Sequence, residues 1–157
     1  MSGATQGLRF LAAQGITVTL HPYDYDPNAD AVGLAAAKAL GLDPALTLKT
    51  LMVEIDGKPA CCVIPSDRQL SMKRVAAGFG GKTAAMMAVP QAEKLTGYRV
   101  GGISPFGQKR SVPTAIEASV TSADRVWINA GQRGLLLGID PQQALAALGA
   151  SAAALIA

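Results

Sequence analysis

The stretch LMVEIDGKPACCVI, residues 51–64, carries the strongest structural signal in the chain. Residues 51–55 and 60–64 have the apolar, β-branched pattern of short strands, and the Asp56-Gly57 pair between them is typical of a two-residue turn. We therefore predict a β-hairpin. Its cysteines, Cys61 and Cys62, are neighbours whose side chains point to opposite faces of a strand, so we expect two reduced thiols.

On both sides of this hairpin, helical and extended patterns follow one another in irregular order. Helices are predicted at residues 5–14, 33–40, 72–79, 90–96 and, through an alanine-rich tail, 142–157. Strands are predicted at residues 17–21, 82–86, 114–117, 125–129 and 135–139. This order favours a mixed α/β or α+β sheet or barrel over a doubly wound sheet, in a single domain spanning residues 1–157.

Composition narrows the class of protein. Of the 157 residues, 50% are hydrophobic and 16% are charged, so the chain should fold alone around one core. The net charge of +3 favours an anionic partner without identifying one. The first nine residues lack a leader pattern and no window is long and apolar enough to span a bilayer. We therefore expect a cytoplasmic protein with no membrane partner.

Few residues are available for metal or cofactor chemistry. A single histidine, His21, and one adjacent cysteine pair cannot supply most ligands of a tetrahedral zinc site, so no metal is predicted. A Ser-His-Asp triad would have to use His21, but the sequence has no Gly-x-Ser-x-Gly elbow to carry the serine. The glycines at residues 78–81 follow a predicted helix, whereas a nucleotide loop follows a strand. No cofactor is expected.

Three basic or glycine-rich features are candidates for function. Lys49 lies between a predicted helical turn after Pro44 and the strand that begins at Leu51. There it could stabilise an oxyanion or act as a Schiff-base amine, or could simply be solvated. The loop GGISPFG, residues 101–107, could direct backbone N–H groups at a carbonyl oxygen, or could be an ordinary turn. Lys109 and Arg110, with Arg133 elsewhere, could contact phosphates or face solvent.

Six motifs, taken in order, resemble the YbaK/EbsC family of Cys-tRNA(Pro) deacylases, which is related to the editing domain inserted in bacterial prolyl-tRNA synthetases. They are HPYDYDP (21–27), ALGLDP (39–44), LKTLMV (48–53), LTGY (95–98), VGGISPFGQK (100–109) and RGL (133–135). The resemblance implies a curved, barrel-like mixed sheet flanked by helices. It also implies removal of a mischarged amino acid, above all cysteine, from tRNA(Pro) without metal or nucleotide.

The resemblance further implies the site residues. Lys49 matches the family's lysine, and its Gly-x-x-x-Pro loop corresponds to Gly101, Gly102, Ile103, Ser104 and Pro105. Lys49 and this loop would stabilise the ester carbonyl, while the thiol of a cysteinyl substrate attacks the carbonyl carbon. Tyr23 is a candidate pocket wall, and Lys109, Arg110 and Arg133 are candidate tRNA contacts. The implied partners are the acceptor end of aminoacyl-tRNA and prolyl-tRNA synthetase, with no DNA.

Three positions depart from the family pattern. Asn129 and Leu136 stand where cysteine-specific members carry a serine and an aspartate, and Val32 occupies an aromatic position. Because leucine removes an acceptor and a charge from the pocket, the amino acid selected could differ. Three alternatives to the cysteine deacylase stay open: a deacylase for another small amino acid such as alanine, a non-catalytic module that binds aminoacyl-tRNA or the synthetase, and a Schiff-base lyase centred on Lys49.

Overall fold

The computed structural model describes residues 5–29 and 31–157. The predicted hairpin is confirmed: strands β2 (Leu48–Ile55) and β3 (Lys58–Pro65) are antiparallel, with Leu51 opposite Cys62. Asp56 and Gly57 have φ angles of +50° and +82°, the left-handed values that a tight hairpin turn requires. β2 begins three residues earlier than predicted, so Lys49 lies within the strand.

The described strands form two sheets. One has the order β1-β7-β6, with ranges Thr19–Pro22, Leu135–Ile139 and Val126–Gln132. The other has the order β4-β2-β3-β5-β8, in which β4 is Ala84–Met86, β5 is Thr114–Glu117 and β8 is Ser151–Ala153. A bridge between Thr47 and Trp127 joins the sheets, and the Trp127 N–H donates to the Leu46 carbonyl at 2.9 Å. The mixed α/β class is confirmed, although the sheets do not close into a barrel.

The helices have the caps that their sequences favour. They are α1 (Gln6–Ala13), α2 (Val32–Leu40), α3 (Met72–Gly78), α4 (Val89–Thr96) and α5 (Pro141–Leu148). The Thr5 and Ser71 side chains accept N–H groups of the first turns of α1 and α3. Gly41 and Gly97 end α2 and α4 in the left-handed conformation.

The prediction of a helix over the whole tail, residues 142–157, is wrong. α5 ends at Leu148 because Gly149 adopts a left-handed φ of +59° and turns the chain. Residues Ser151–Ala153 then form β8, parallel to β5. The Glu117 carboxylate accepts the N–H groups of Leu155 at 2.8 Å and Ile156 at 3.3 Å, and so fixes the end of the chain. Alanine helix propensity is outweighed by this pairing.

The central hairpin separates two apolar clusters. Met52 and Cys61 pack on one side with residues such as Phe106 and Ile128, whereas Val53 and Cys62 pack on the other with residues such as Val75 and Leu155. Both cysteines are free, as predicted, and both are buried. Burial raises the pKa of each thiol to about 12. Among the described residues, no helix is long and apolar enough to cross a membrane.

Candidate active site

A cavity of about 440 Å³ opens between the two sheets, next to the Thr47–Trp127 bridge. β4 pairs with Val53, Glu54 and Ile55 of β2, so residues 48–51 of that strand edge border the cavity instead. The other walls come from the start of α2, the loop after α4, and β6 and β7. The lining residues are Tyr23, Ala31, Val32, Gly33, Ala36, Thr47, Leu48, Lys49, Thr50, Leu51, Ser66, Gln69, Val100, Gly101, Ile103, Asn129 and Leu136.

Lys49 lies on β2 opposite Ile64 and is half-buried against the cavity. Burial lowers the pKa of its ammonium group, and the opposing attraction of Asp67 is the smaller effect. α2 begins close to this strand because residue 33 is a glycine: a Cβ there would lie 2.8 Å from the Ser66 Cβ and 3.9 Å from the Lys49 Cβ. The local packing therefore holds a cation in partly desolvated surroundings, where it gains most from an electron-rich partner.

The glycine loop meets the cavity at Gly101 and Ile103. Gly101 has a φ of +88°, and a Cβ on it would lie 2.6 Å from the Tyr25 hydroxyl. Both the backbone conformation and this close contact therefore require glycine. Gly102 is buried, and its N–H donates to the Arg99 carbonyl at 2.8 Å. That amide is thus already bonded within the loop, which reduces the number of loop amides available to a substrate.

Ser104 and Pro105 are not brought into the cavity wall. Ser104 is fully buried, and its hydroxyl accepts the N–H of Phe106 at 3.2 Å. Pro105 lines a smaller cavity of about 210 Å³ elsewhere in the molecule. Their positions in the motif indicated a substrate contact, but their contacts here are with the core and the loop itself.

Asn129 and Leu136 are cross-strand partners on β6 and β7, and both line the cavity. The Asn129 amide group donates to the Gly101 carbonyl at 3.2 Å, and its oxygen accepts the N–H groups of Gly131 at 2.7 Å and Gln132 at 3.1 Å. β6 is irregular at this point, with a register shift between Asn129 and Gln132. Asn129 therefore ties the irregular strand to the glycine loop, a role that its sequence position did not reveal.

Tyr23 and Val32 line the cavity from the N-terminal part of the sequence. The Tyr23 N–H donates to the Gly134 carbonyl at 2.9 Å, which fixes this loop against the β6–β7 hairpin. Burial is the main cause that raises the pKa of its phenol. Val32 is the first residue of α2 and faces the cavity with an apolar side chain. Both predicted pocket residues thus line the same cavity as Lys49.

The three predicted tRNA contacts lie in two places. Arg133 is at the cavity rim: its Nε donates to the Val100 carbonyl at 2.9 Å, and its guanidinium lies 5.2 Å from the centre of the Tyr25 ring. Lys109 and Arg110 are exposed and outside the cavity lining. Their N–H groups donate to the last carbonyls of α4, at Thr96 and Leu95, where positive charge complements the helix dipole.

Sequence reasoning missed several polar residues of the cavity. The Ser66 hydroxyl donates to the Pro44 carbonyl at 3.1 Å, and that of Thr47 donates to the Asp43 carbonyl at 2.9 Å. The Thr50 hydroxyl is buried and has no hydrogen-bond partner among residues 5–29 and 31–157. Its place beside Lys49 in the LKTLMV motif was the available signal. Within the described residues, no group of three His, Cys, Asp or Glu side chains could hold a metal ion.

Comparison with known proteins shows which family the sequence matches. The model of the aminoacyl-tRNA editing domain family matches residues 26–147. A protein of Enterococcus faecalis assigned as Cys-tRNA(Pro)/Cys-tRNA(Cys) deacylase EbsC is 32% identical over 113 residues, which cover 71% of this chain and 68% of that protein. A proline–tRNA ligase of Maridesulfovibrio salexigens is 30% identical over 95 residues, or 60% of this chain and 16% of the ligase.

The fold is also found among solved structures. A crystal structure assigned to a trans-editing enzyme for prolyl-tRNA synthetase aligns with a TM-score of 0.81 and 21% identity, over 97% of this chain and 95% of that one. At this identity the likeness establishes the architecture. It supports the mixed α/β fold predicted from the irregular order of helices and strands.

Proposed function

The chain belongs to the aminoacyl-tRNA editing domain family, and from this premise we propose that it is a trans-editing deacylase that removes cysteine from mischarged tRNA(Pro). The family and the deacylase assigned to its Enterococcus relative support hydrolysis of an aminoacyl ester. The observation that carries the proposal is that Lys49, Gly101, Asn129 and Leu136 all line one cavity. These residues come from three separate parts of the chain.

The chemistry requires little from the protein. An aminoacyl ester is already activated, so the site needs to position it and to stabilise negative charge as the carbonyl carbon becomes tetrahedral. Lys49 is the cation beside the cavity, and its partly desolvated ammonium gains more from a developing oxyanion than from water. Gly101 and Ile103 of the glycine loop line the same cavity.

For a cysteinyl ester the nucleophile is the substrate's own thiol. Its sulfur forms a bond to the carbonyl carbon, the bond from that carbon to the ribose oxygen breaks, and the thiol proton passes to the ribose oxygen. The products are deacylated tRNA and a cyclic thioester of cysteine, which water then opens. No enzyme nucleophile is needed, in keeping with a cavity whose lining contains neither cysteine nor histidine.

The tRNA is held by its acceptor end. Arg133, whose side chain donates to the carbonyl of the lining residue Val100, is the proposed contact for the terminal phosphates, and Lys109 and Arg110 are a second, exposed basic pair. Prolyl-tRNA synthetase is the proposed docking partner, since the matched segment of the Maridesulfovibrio relative belongs to such an enzyme. The site of action is then the cytoplasm, where tRNA is charged.

One observation favours a second substrate. Leu136 is buried and presents an apolar side chain to the cavity, as Val32 does. An apolar wall separates small side chains by only about 1–3 kcal/mol, so alanyl-tRNA(Pro) is the second candidate for cleavage. A non-catalytic aminoacyl-tRNA binding module would share the same cavity.

A deacylation panel tests the proposal. Cysteinyl-, alanyl- and seryl-tRNA(Pro) are incubated with the purified chain, with and without prolyl-tRNA synthetase, and the remaining ester is measured over time. We expect cysteinyl-tRNA(Pro) to be cleaved fastest. Faster cleavage of alanyl-tRNA(Pro), which has no thiol, would keep ester hydrolysis but change the substrate and make water the nucleophile. Binding without turnover on every member would contradict the deacylase and leave the binding module.

A further inference from the structure

The cavity has two chemically different sides because Lys49 and Thr50 are successive residues of β2 and point to opposite faces of the strand. On the Lys49 side, Ser66 and the start of α2 at Gly33 approach closely. On the Thr50 face, Leu48 packs into the larger apolar cluster, against which Ile103 also packs. The first side is suited to the polar ribose, and the second is suited to a small amino-acid side chain.

The Thr50 hydroxyl is the exceptional group on the apolar side. It is buried, and within the described residues it has no hydrogen-bond partner. The neighbouring hydroxyls of Thr47 and Ser66 donate to carbonyls at 2.9 and 3.1 Å, so their protons are already used by the fold. A buried hydroxyl without a partner lowers stability unless some other molecule supplies the hydrogen bond.

We propose that Thr50 is a specificity-determining residue whose hydroxyl bonds the γ atom of the substrate's amino-acid side chain. Thr50 lines the cavity, and no bond among residues 5–29 and 31–157 holds its hydroxyl. It then pairs with the hydroxyl of a seryl group or the thiol of a cysteinyl group. An alanyl group has no γ atom and leaves the Thr50 hydroxyl unpaired.

This inference rests on the proposed function and adds the basis of its selectivity. A site that hydrogen-bonds a polar substrate group rejects analogues that lack it, because the site's own polar atom is then left unsatisfied. The site thereby selects side chains that carry a γ oxygen or sulfur. An O–H group is a stronger donor than an S–H group, so the contribution of Thr50 is larger for serine than for cysteine.

Binding of stable substrate analogues separates this role from turnover. The probes are seryl-, cysteinyl- and alanyl-adenosine in which a 3′ amide replaces the ester, and affinity is measured by calorimetry for the wild-type chain, Thr50→Val and Thr50→Ser. Valine has the shape of threonine without the hydroxyl, and serine restores the hydroxyl. We expect Thr50→Val to lower the affinity for the seryl analogue about tenfold, to lower that for the cysteinyl analogue less, and to leave that for the alanyl analogue unchanged. Thr50→Ser should restore the wild-type order of affinities.

Other outcomes overturn the inference. An equal loss for all three analogues in Thr50→Val would assign the hydroxyl to the ribose or to packing, and no change would remove it from the site. If Thr50→Val fails to fold, Thr50→Ala, which also lacks the hydroxyl, takes its place: a fall in the ratio of seryl- to alanyl-analogue affinity supports the inference, and an unchanged ratio contradicts it. In either case, deacylation of the tRNA panel by the wild-type chain shows that the proposed function stands.

Discussion

The two ends of the central hairpin differ in how far the fold satisfies their polar groups. At the closed end, around the Asp56-Gly57 turn and β4, the Asp56 carboxylate accepts the N–H groups of Lys82 and Thr83 and the Thr83 hydroxyl, at 2.9–3.2 Å. At the open end, residues 48–51, Lys49 is partly desolvated and the Thr50 hydroxyl has no partner in the described part of the chain.

Both ends carry a group whose pKa is lowered, but for opposite physical reasons. Hydrogen bonds from Thr83 and Lys82 lower the pKa of Asp56 by stabilising its charged form. Burial lowers the pKa of Lys49 by destabilising its charged form. A charge that the fold satisfies stabilises the fold, whereas a charge that the fold leaves unsatisfied is available to a substrate. The direction of a pKa shift therefore does not identify a site without its cause.

The largest expected effect is on turnover in Lys49→Met. Removal of the cation should slow deacylation of cysteinyl-tRNA(Pro) by at least about 30-fold, or roughly 2 kcal/mol of transition-state stabilisation. Lys58→Met, an exposed lysine at the closed end of the same hairpin, is the matched control and should retain wild-type turnover. Equal rates for the two variants in a single-turnover assay would remove Lys49 from the mechanism.

The thermal stability of Lys49→Met tests whether Lys49 serves function or the stability of the fold. The pKa of Lys49 is lower in the folded chain than its ordinary value of 10.5, so the folded state binds its proton less tightly than the unfolded state does. The charged form therefore opposes folding at pH values below both pKa values, and the contribution disappears as pH rises past them. Lys49→Met should have a Tm at neutral pH equal to or above that of the wild type. A clearly lower Tm would show that Lys49 stabilises the fold.

Asn129→Ala should have the next largest effect. It removes the bond to the Gly101 carbonyl and the bonds to the Gly131 and Gln132 N–H groups, so the glycine loop loses its tie to β6. We expect a loss of about 1–3 kcal/mol in the free energy of unfolding and about tenfold in kcat. Gln132→Ala, an exposed neighbour, is the control. Unchanged kcat with reduced stability would limit Asn129 to a structural role.

Leu136→Asp should change selectivity more than rate. A carboxylate at this cavity position can bond a polar substrate group, so the ratio of cysteinyl- to alanyl-tRNA(Pro) cleavage should rise about fivefold. Leu136→Ala, which enlarges the cavity without adding a polar group, should leave that ratio nearly unchanged. Because Leu136 is buried, circular dichroism must first show that the acidic variant folds. Similar ratios in two folded variants would place residue 136 outside the discriminating contact.

The smallest effect is expected at the closed end. Asp56→Asn keeps a residue that tolerates the left-handed turn but removes the charge, so turnover should equal that of the wild type while Tm falls slightly at neutral pH. The folded pKa of Asp56 lies below its ordinary value of 3.8, so its stabilisation is present above that value and is lost as pH falls through the folded pKa. The Tm difference should vanish in acid. A persistent difference would point to turn geometry instead of charge.

Much of this architecture could be predicted from local patterns. The hairpin follows from its turn residues, and β5 and β7 have the predicted bounds because alternation and flanking loops define them. β8 could not be predicted, since its pairing with β5 and the Glu117 bonds to the end of the chain are distant contacts. In the site, Lys49 and Gly101 were found through motifs. The roles of Asn129 and Thr50 depend on bonds made or missing in three dimensions.

The central claim is that the open end of the hairpin, and no other surface, receives the aminoacyl group. The direct test is two-dimensional NMR of the isotopically labelled chain during titration with the 3′-amide analogue of cysteinyl-adenosine. The account predicts that the largest shift changes occur at Lys49, Thr50, Gly101 and Asn129, while Lys82 and Thr83 at the closed end stay unchanged. Dominant changes near Lys109 and Arg110, or around Pro105 at the smaller cavity, with the open end unaffected, would contradict it.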